Sequence, residues 1–139
     1  MAGTSHARDA EDFFAGEPVG LETFRRVDAA LTALHDDVVV RVSRSQVAFR
    51  RRRGLAALWV PGRYLRRAAA PVVLSVATRE RIDSDRFKDV VHPGPWMHHL
   101  EVTDPGQVDD EVLGWLRTAA DEAGAPADRP ASGAPPRGA

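Results

Sequence analysis

The sequence predicts an α+β domain: N-terminal helices, a mainly antiparallel sheet of about five strands, a C-terminal helix packed on the sheet, and a disordered C-terminal tail. Three observations carry this. Leu21, Phe24, Val27, Leu31 and Leu34 recur at helical spacing; from Val38 the apolar period drops to two; and Val108, Val112, Leu116 and Ala119 return to a helical face. The runs of period two follow one another with only short turn signals between them, which favours antiparallel neighbours over long crossovers.

Taken in order, residues 1–8 hold no large apolar side chain after Met1 and read as a flexible N-terminus. Asp9 is suited to cap a short helix running through Phe14 and stopping near Gly16, after which Glu17-Pro18 restarts the chain as a second helix. On that helix Glu22, Arg25, Arg26 and Asp28 lie off the apolar stripe, and Asp36-Asp37 turn the chain into strands. Val38, Val40 and Val42 alternate with Val39, Arg41 and Ser43, then come Gln46 to Arg51 and Leu55 to Val60, with arginines and Gly54 forming a hairpin turn. Pro61-Gly62 closes the third strand, Val72 to Thr78 gives a fourth and Trp96 to Val102 a fifth. Asp83 to Val91 reads as a short helix or irregular turn, and His92-Pro93-Gly94-Pro95 as a rigid connection. Asp104 or Pro105 opens the last helix, with Leu113 and Trp115 flanking its apolar face. The folded unit is then 9–123, and 124–139, built from Ala, Gly, Pro, Ser, Arg and Asp, has too little apolar surface to offset the entropy of ordering.

Composition fits that picture: 139 residues, 43% apolar and 28% charged, are enough for one domain with a core. The chain has no cysteine, which excludes disulfides, thiolate zinc sites and thiol nucleophiles and suits a reducing cytoplasm. No signal-peptide run opens the sequence, and the longest nearly uncharged stretch, Ala68 to Ala77, is far short of the ~20 residues that cross a bilayer. A soluble protein without membrane partners is expected. Only Lys88 is a lysine; an alanine- and arginine-rich chain of this kind is explained by a GC-rich genome before guanidinium chemistry is invoked.

The formal charge of −1 hides a polarised chain, because Val38 to Arg79 holds ten arginines and no acid, flanked by two acidic segments. Such a segment recruits anions. Arg50, Arg51, Arg52 and Arg53 end a strand, so alternation sends neighbours to opposite faces unless Gly54 turns the chain. One reading is a solvated hairpin tip that protects a sheet edge; the other is a contact for nucleic acid or another phosphate-bearing polyanion. Tyr64 is available to stack on bases, whereas Trp59 is expected in the core. No helix-turn-helix, zinc-finger spacing or RNP-type motif is present.

Two smaller constellations complete the inventory. Ser43, Arg44, Ser45 and Gln46 offer hydroxyls and an amide beside guanidinium groups, suited either to an anion or to backbone groups at a strand bend; no GxSxG elbow marks a serine nucleophile. In HPGPWMHHLEV, His99 and Glu101 share a strand face while His98 goes with Trp96 and Leu100, so His98 and His99 are badly placed to hold one metal. An imidazole–carboxylate pair serves as an oriented base, but the chain has no HExxH, P-loop or dinucleotide motif, and neither metal nor cofactor is implied.

Read together, SRSQVAFRRRRGLAALWVP, APVVLSVATR and WMHHLEV resemble the family of domain of unknown function 5655, in its actinobacterial form. With DFFAGEPVGLETFRRV and DPGQVDDEVLGWL the resemblance covers most of Asp12 to Ala120. SRSQVAF is similar to the family's TKSQVAF-type signature, with Ser43 for threonine and Arg44 for lysine. A guanidinium replaces lysine as an anion ligand but not as a base or amine nucleophile. The resemblance implies a small α+β domain without an assigned activity.

Three classes follow. The first is a non-catalytic binding module contacting an anionic partner through Arg44, Ser45, Gln46 and Arg50 to Arg53. The second is a small-molecule binder or enzyme whose pocket joins the SRSQ segment to His98, His99 and Glu101, with His99 as acid or base, Glu101 orienting it and Arg44 holding substrate charge. The third is a protein-interaction domain in which the acidic flanking helices or Trp115 meet a partner.

Overall fold

A computed structural model describes residues 2–64, 70–92 and 94–126. Helices α1 (Ala2–Phe13) and α2 (Pro18–Leu34) precede strands β1 (Val39–Val42), β2 (Val47–Arg50), β3 (Gly54–Trp59), β4 (Val72–Thr78), β5 (Asp89–Val91) and β6 (Trp96–Val102), and α3 (Asp110–Gly124) closes the order. The strands form one antiparallel sheet in the order β1-β2-β3-β4-β6-β5, with the helices on one face.

The α+β architecture expected from the sequence is the one observed, with four differences of detail. Helix α1 begins at Ala2, well before the expected Asp9 cap. The segment before His92 is not a helix: its end pairs with β6 as the short edge strand β5, making six strands instead of about five. Pro61–Arg63 continues β3 into a 3₁₀ turn. The expected helix start at Asp104 or Pro105 is a 3₁₀ turn over Pro105–Gln107, capped reciprocally by the Asp104 and Gln107 side chains; α3 itself starts from Asp109, whose carboxylate accepts from the Val112 N–H. The tail expected to be disordered lies, past Pro126, outside the described residues, as does Pro93 of the β5–β6 connection.

Gly16, at φ 81°, ends α1 in the left-handed region, and Pro18 sets the first turn of α2. Phe24, Val27 and Leu31 of α2 are buried as expected, but the buried stripe also takes in Gly20, since the Phe14 ring lies where a Gly20 side chain would begin. Phe14, Phe24 and Phe49 then run as a row of rings from helix to sheet, at 6.4 and 5.8 Å between centroids. Val112, Leu116, Ala119, Ala120 and Ala123 of α3 pack on the same face, against residues such as Leu58, Leu74 and Val76. Among the described residues no helix covers the other face of the sheet, yet β4 is buried along its whole length on both faces. That helix-free face carries the candidate site.

Candidate functional site

Strand registers set one row of side chains across the helix-free face. Arg41 pairs with Ala48, Ala48 with Ala57, Ala57 with Ser75, Ser75 with His99, and His99 with Asp89. Residues directly opposite one another point to the same face, so the row runs from a guanidinium, over small side chains, to an imidazole and a carboxylate. Trp59 stands beside it on β3, Met97 on β6, and Arg50 lies diagonal to Arg41.

Above this row is an open cleft of about 1160 Å³. Its floor is Ala48, Ala57, Trp59, Ser75 and His99; Ser45, Gln46 and Tyr64 stand around it, and it runs past the β2–β3 hairpin to the last turn of α3. Arg41, Arg50, Arg53 and Arg79 line it, against Glu122 as the one carboxylate among the described lining residues. A concave surface with four guanidinium groups and one acid concentrates anions.

The floor is wired by hydrogen bonds. Trp59 Nε1 donates to Ser75 Oγ at 3.2 Å, and Ser75 Oγ lies 2.7 Å from His99 Nδ1. Indole can only donate, so Ser75 Oγ accepts from Trp59, and with a second lone pair and its own proton still available it pairs with His99 Nδ1 in either ring tautomer. Burial, the larger effect, lowers the His99 pKa below the ordinary imidazole value against the opposing pull of the Asp89 charge. The Ser75 hydroxyl does not meet the needs of an acyl-transfer nucleophile: it lies in a central strand whose backbone N–H groups serve the ladders to β3 and β6, leaving no pair of donors for an oxyanion.

The residues expected from sequence to form the site separate into distinct places. Ser45, Gln46, Arg50, Arg53 and His99 line the same cleft, with Ser45 and Gln46 at its β1–β2 side and His99 strands away on β6. Arg44 instead faces a groove of about 620 Å³ beside Asp9, Asp12 and Arg63. Ser43, its neighbour, satisfies the β1–β2 turn: its hydroxyl accepts from the Ser45 and Gln46 N–H groups and donates to the Gln46 carbonyl. His98 lies on the opposite face, fully buried; Ile82 N–H donates to its Nε2 at 2.9 Å and its Nδ1 donates to the Val76 carbonyl at 3.0 Å, with the Phe87 ring against it. Glu101 shares the His99 face but sits one register away opposite Val73, 3.7 Å from Lys88 Nζ.

The four consecutive arginines likewise divide. Arg51 turns inward, giving Nε to Asp37 at 2.7 Å and a terminal nitrogen to the Ala120 carbonyl at 2.9 Å. Arg53 donates to the carbonyls of Glu122 and Ala125 at the end of α3. Both close a helix C-terminus, where unpaired carbonyls and the helix dipole favour cations. Arg50 donates to the Arg52 carbonyl, and Arg52 is exposed. Trp59 is half-buried on the cleft floor and not in the core, and Ser75, its partner, gives no sign in the sequence beyond a polar residue in a strand of valines.

The match to a known family agrees with this fold. The model of the family described as Domain of unknown function (DUF5655) matches residues 10–122. The chain belongs to this family. No curated protein and no solved structure matches it. The matched span of this DUF5655 member includes every strand of the sheet and all but the end of α3, so the row from Arg41 to Asp89 lies wholly within it. Among the described residues no helix is long and apolar enough to cross a membrane, and no cluster of three or more His, Cys, Asp or Glu is arranged to hold a metal.

Proposed function

We propose that this domain is a non-catalytic binding module that holds an anionic ligand in the cleft on the helix-free face of its sheet. The observation that carries the reading is the lining of that cleft, in which, among the described residues, guanidinium groups outnumber carboxylates four to one around a floor of alanines, an indole and an imidazole. Arg41 and Arg50 are the principal anion ligands. Both are exposed, on neighbouring strands and the same face, and among the described residues neither is tied to a carboxylate. Arg51 and Arg53 hold α3 in place, so the hairpin contributes to the site through Arg50 more than through its tip. Donor-only groups at the rim favour phosphate or carboxylate ligands.

The test is a titration with labelled single-stranded DNA, RNA and a fluorescent nucleotide at about 50 and 200 mM salt, using the parent chain, R41S/R50S and R52S. Salt-sensitive binding that the double variant loses and R52S keeps supports the cleft. Binding lost in R52S alone puts the contact at the hairpin tip. Absence of binding to every probe rejects an anion-binding role.

A further inference from the structure

The charges on the sheet face limit what kind of anion fits, and from them we infer that the ligand is a mononucleotide: one phosphate end, one planar ring, and no continuing polymer. The inference rests on the anion-binding reading above and deepens it. Arg41 and Arg50 stand at the β1–β2 end of the face, and none of the four arginines that line the cleft belongs to β5 or β6. At the other end stand Asp89, directly opposite His99, and Glu101, which has Lys88 beside it. A nucleic-acid strand laid across the face would carry phosphates onto those two carboxylates, whereas a molecule charged at one end would not. Like charges brought together in this way oppose binding.

The distance also suits a single nucleotide. From β1 to β6 is four strand spacings, roughly 19 Å between backbones at ~4.8 Å each. Arg41 and Arg50 stand at one side of that span and His99 at the other. Between them the floor is Ala48 and Ala57, side chains short enough to let a flat ring lie close to the sheet, with the Trp59 indole at its flank. Base-sized rings bind such aromatic-sided platforms through their faces, whatever their sequence identity.

Ser75 then has a definite part. By accepting from the Trp59 N–H and pairing with His99 Nδ1, it fixes the indole and the imidazole and leaves His99 Nε2 as the ring's other polar atom at the far end of the floor. The bound ring is therefore expected to turn a polar edge to that nitrogen, as nucleobases do with their ring nitrogens, carbonyls and amino groups. Ser75 is a positioning residue, acting through Trp59 and His99.

Isothermal titration of the full chain with inorganic phosphate, adenosine, the four nucleoside monophosphates and oligonucleotides of two to eight units tests this. The expected result is that at least one monophosphate binds about tenfold or more tighter than either phosphate or nucleoside, with little further gain on lengthening the strand. R41S/R50S should abolish that binding. Ser75→Ala should weaken it several-fold, and Ser75→Thr, which keeps the hydroxyl, should restore most of the affinity, a rescue that general loss of packing would not allow. If phosphate alone binds as tightly as any nucleotide, or affinity climbs about tenfold with strand length, the mononucleotide inference fails while anion binding stands. If no probe binds at millimolar concentration, both fail together.

Discussion

Replacing Arg51 by alanine tests the claim that the arginine run is partly architectural. Its side chain is only 15% exposed, and one terminal nitrogen donates at 2.9 Å to the carbonyl of Ala120, a residue with no solvent exposure of its own. Hydrogen bonds to charged groups are worth about 1.5–3 kcal/mol, and a cation at a helix C-terminus adds roughly 0.3–1. The contact with Asp37, whose carboxylate stands largely in solvent, adds little more. Arg51→Ala should therefore cost about 2–3 kcal/mol, or on the order of 6–15 °C in Tm for a domain of this size. Arg52→Ala removes an exposed side chain and should stay within about 0.5 kcal/mol of the parent. Urea denaturation followed by far-UV circular dichroism, with a thermal melt beside it, reads both. Equal effects from the two substitutions, or an Arg51→Ala variant as stable as the parent, would refute the division of the run into structural and free members.

Four further outcomes follow from the packing and the titrating groups. Gly20→Ala would set a Cβ 2.5 Å from the Phe14 ring, so overpacking of about 1–3 kcal/mol outweighs the helix propensity gained, and trimming Phe14 to leucine in the same chain should recover part of it by urea titration. His98→Leu leaves the Ile82 N–H without its acceptor and removes the ring donor to the Val76 carbonyl, and should cost about 1–3 kcal/mol in the same assay, with no effect on ligand affinity once the variant is folded. Because the folded-state pKa of His99 is lowered, stability should fall as pH drops from the unfolded value near 6.5 through the folded one, and His99→Gln should flatten that part of a stability–pH curve. Asp37 is held low chiefly by its hydrogen bond from Arg51, and Asp109 by the Val112 N–H and then Arg86; their contribution is complete above the unfolded value near 3.9 and lost as pH falls through the folded values, so D37N/D109N should show a shallower acid limb by circular dichroism.

Most of the fold was legible because periodicity depends on residues close in sequence. The alternation of Val38 to Val42, the run VVLSVAT and the helical face of Val112, Leu116 and Ala119 each match an element with nearly the expected bounds. What failed lay where local pattern is weak. Asp89–Val91 is three residues long and is a strand only because β6 pairs with it, and Asp104 caps a turn that merely precedes α3.

The site was legible only in fragments, for a physical reason. Its floor is defined by register between strands far apart in sequence, and no local window relates Arg41, Ser75 and His99. Alternation did separate His98 from His99, since one residue of offset on a strand exchanges faces. It does not tell which of the two faces the helices cover, which is why the sequence points to Trp59 as core and carries no mark on Ser75 beyond its being polar. The arginines show the complementary limit. Their density in sequence is real, but Arg51 and Arg53 are consumed by the carbonyls of α3, whereas Arg41, isolated between valines, stands beside the cleft. A run of like charges is thus a poorer guide to an anion site than the pairing register, which decides which charges share a face and which are already engaged.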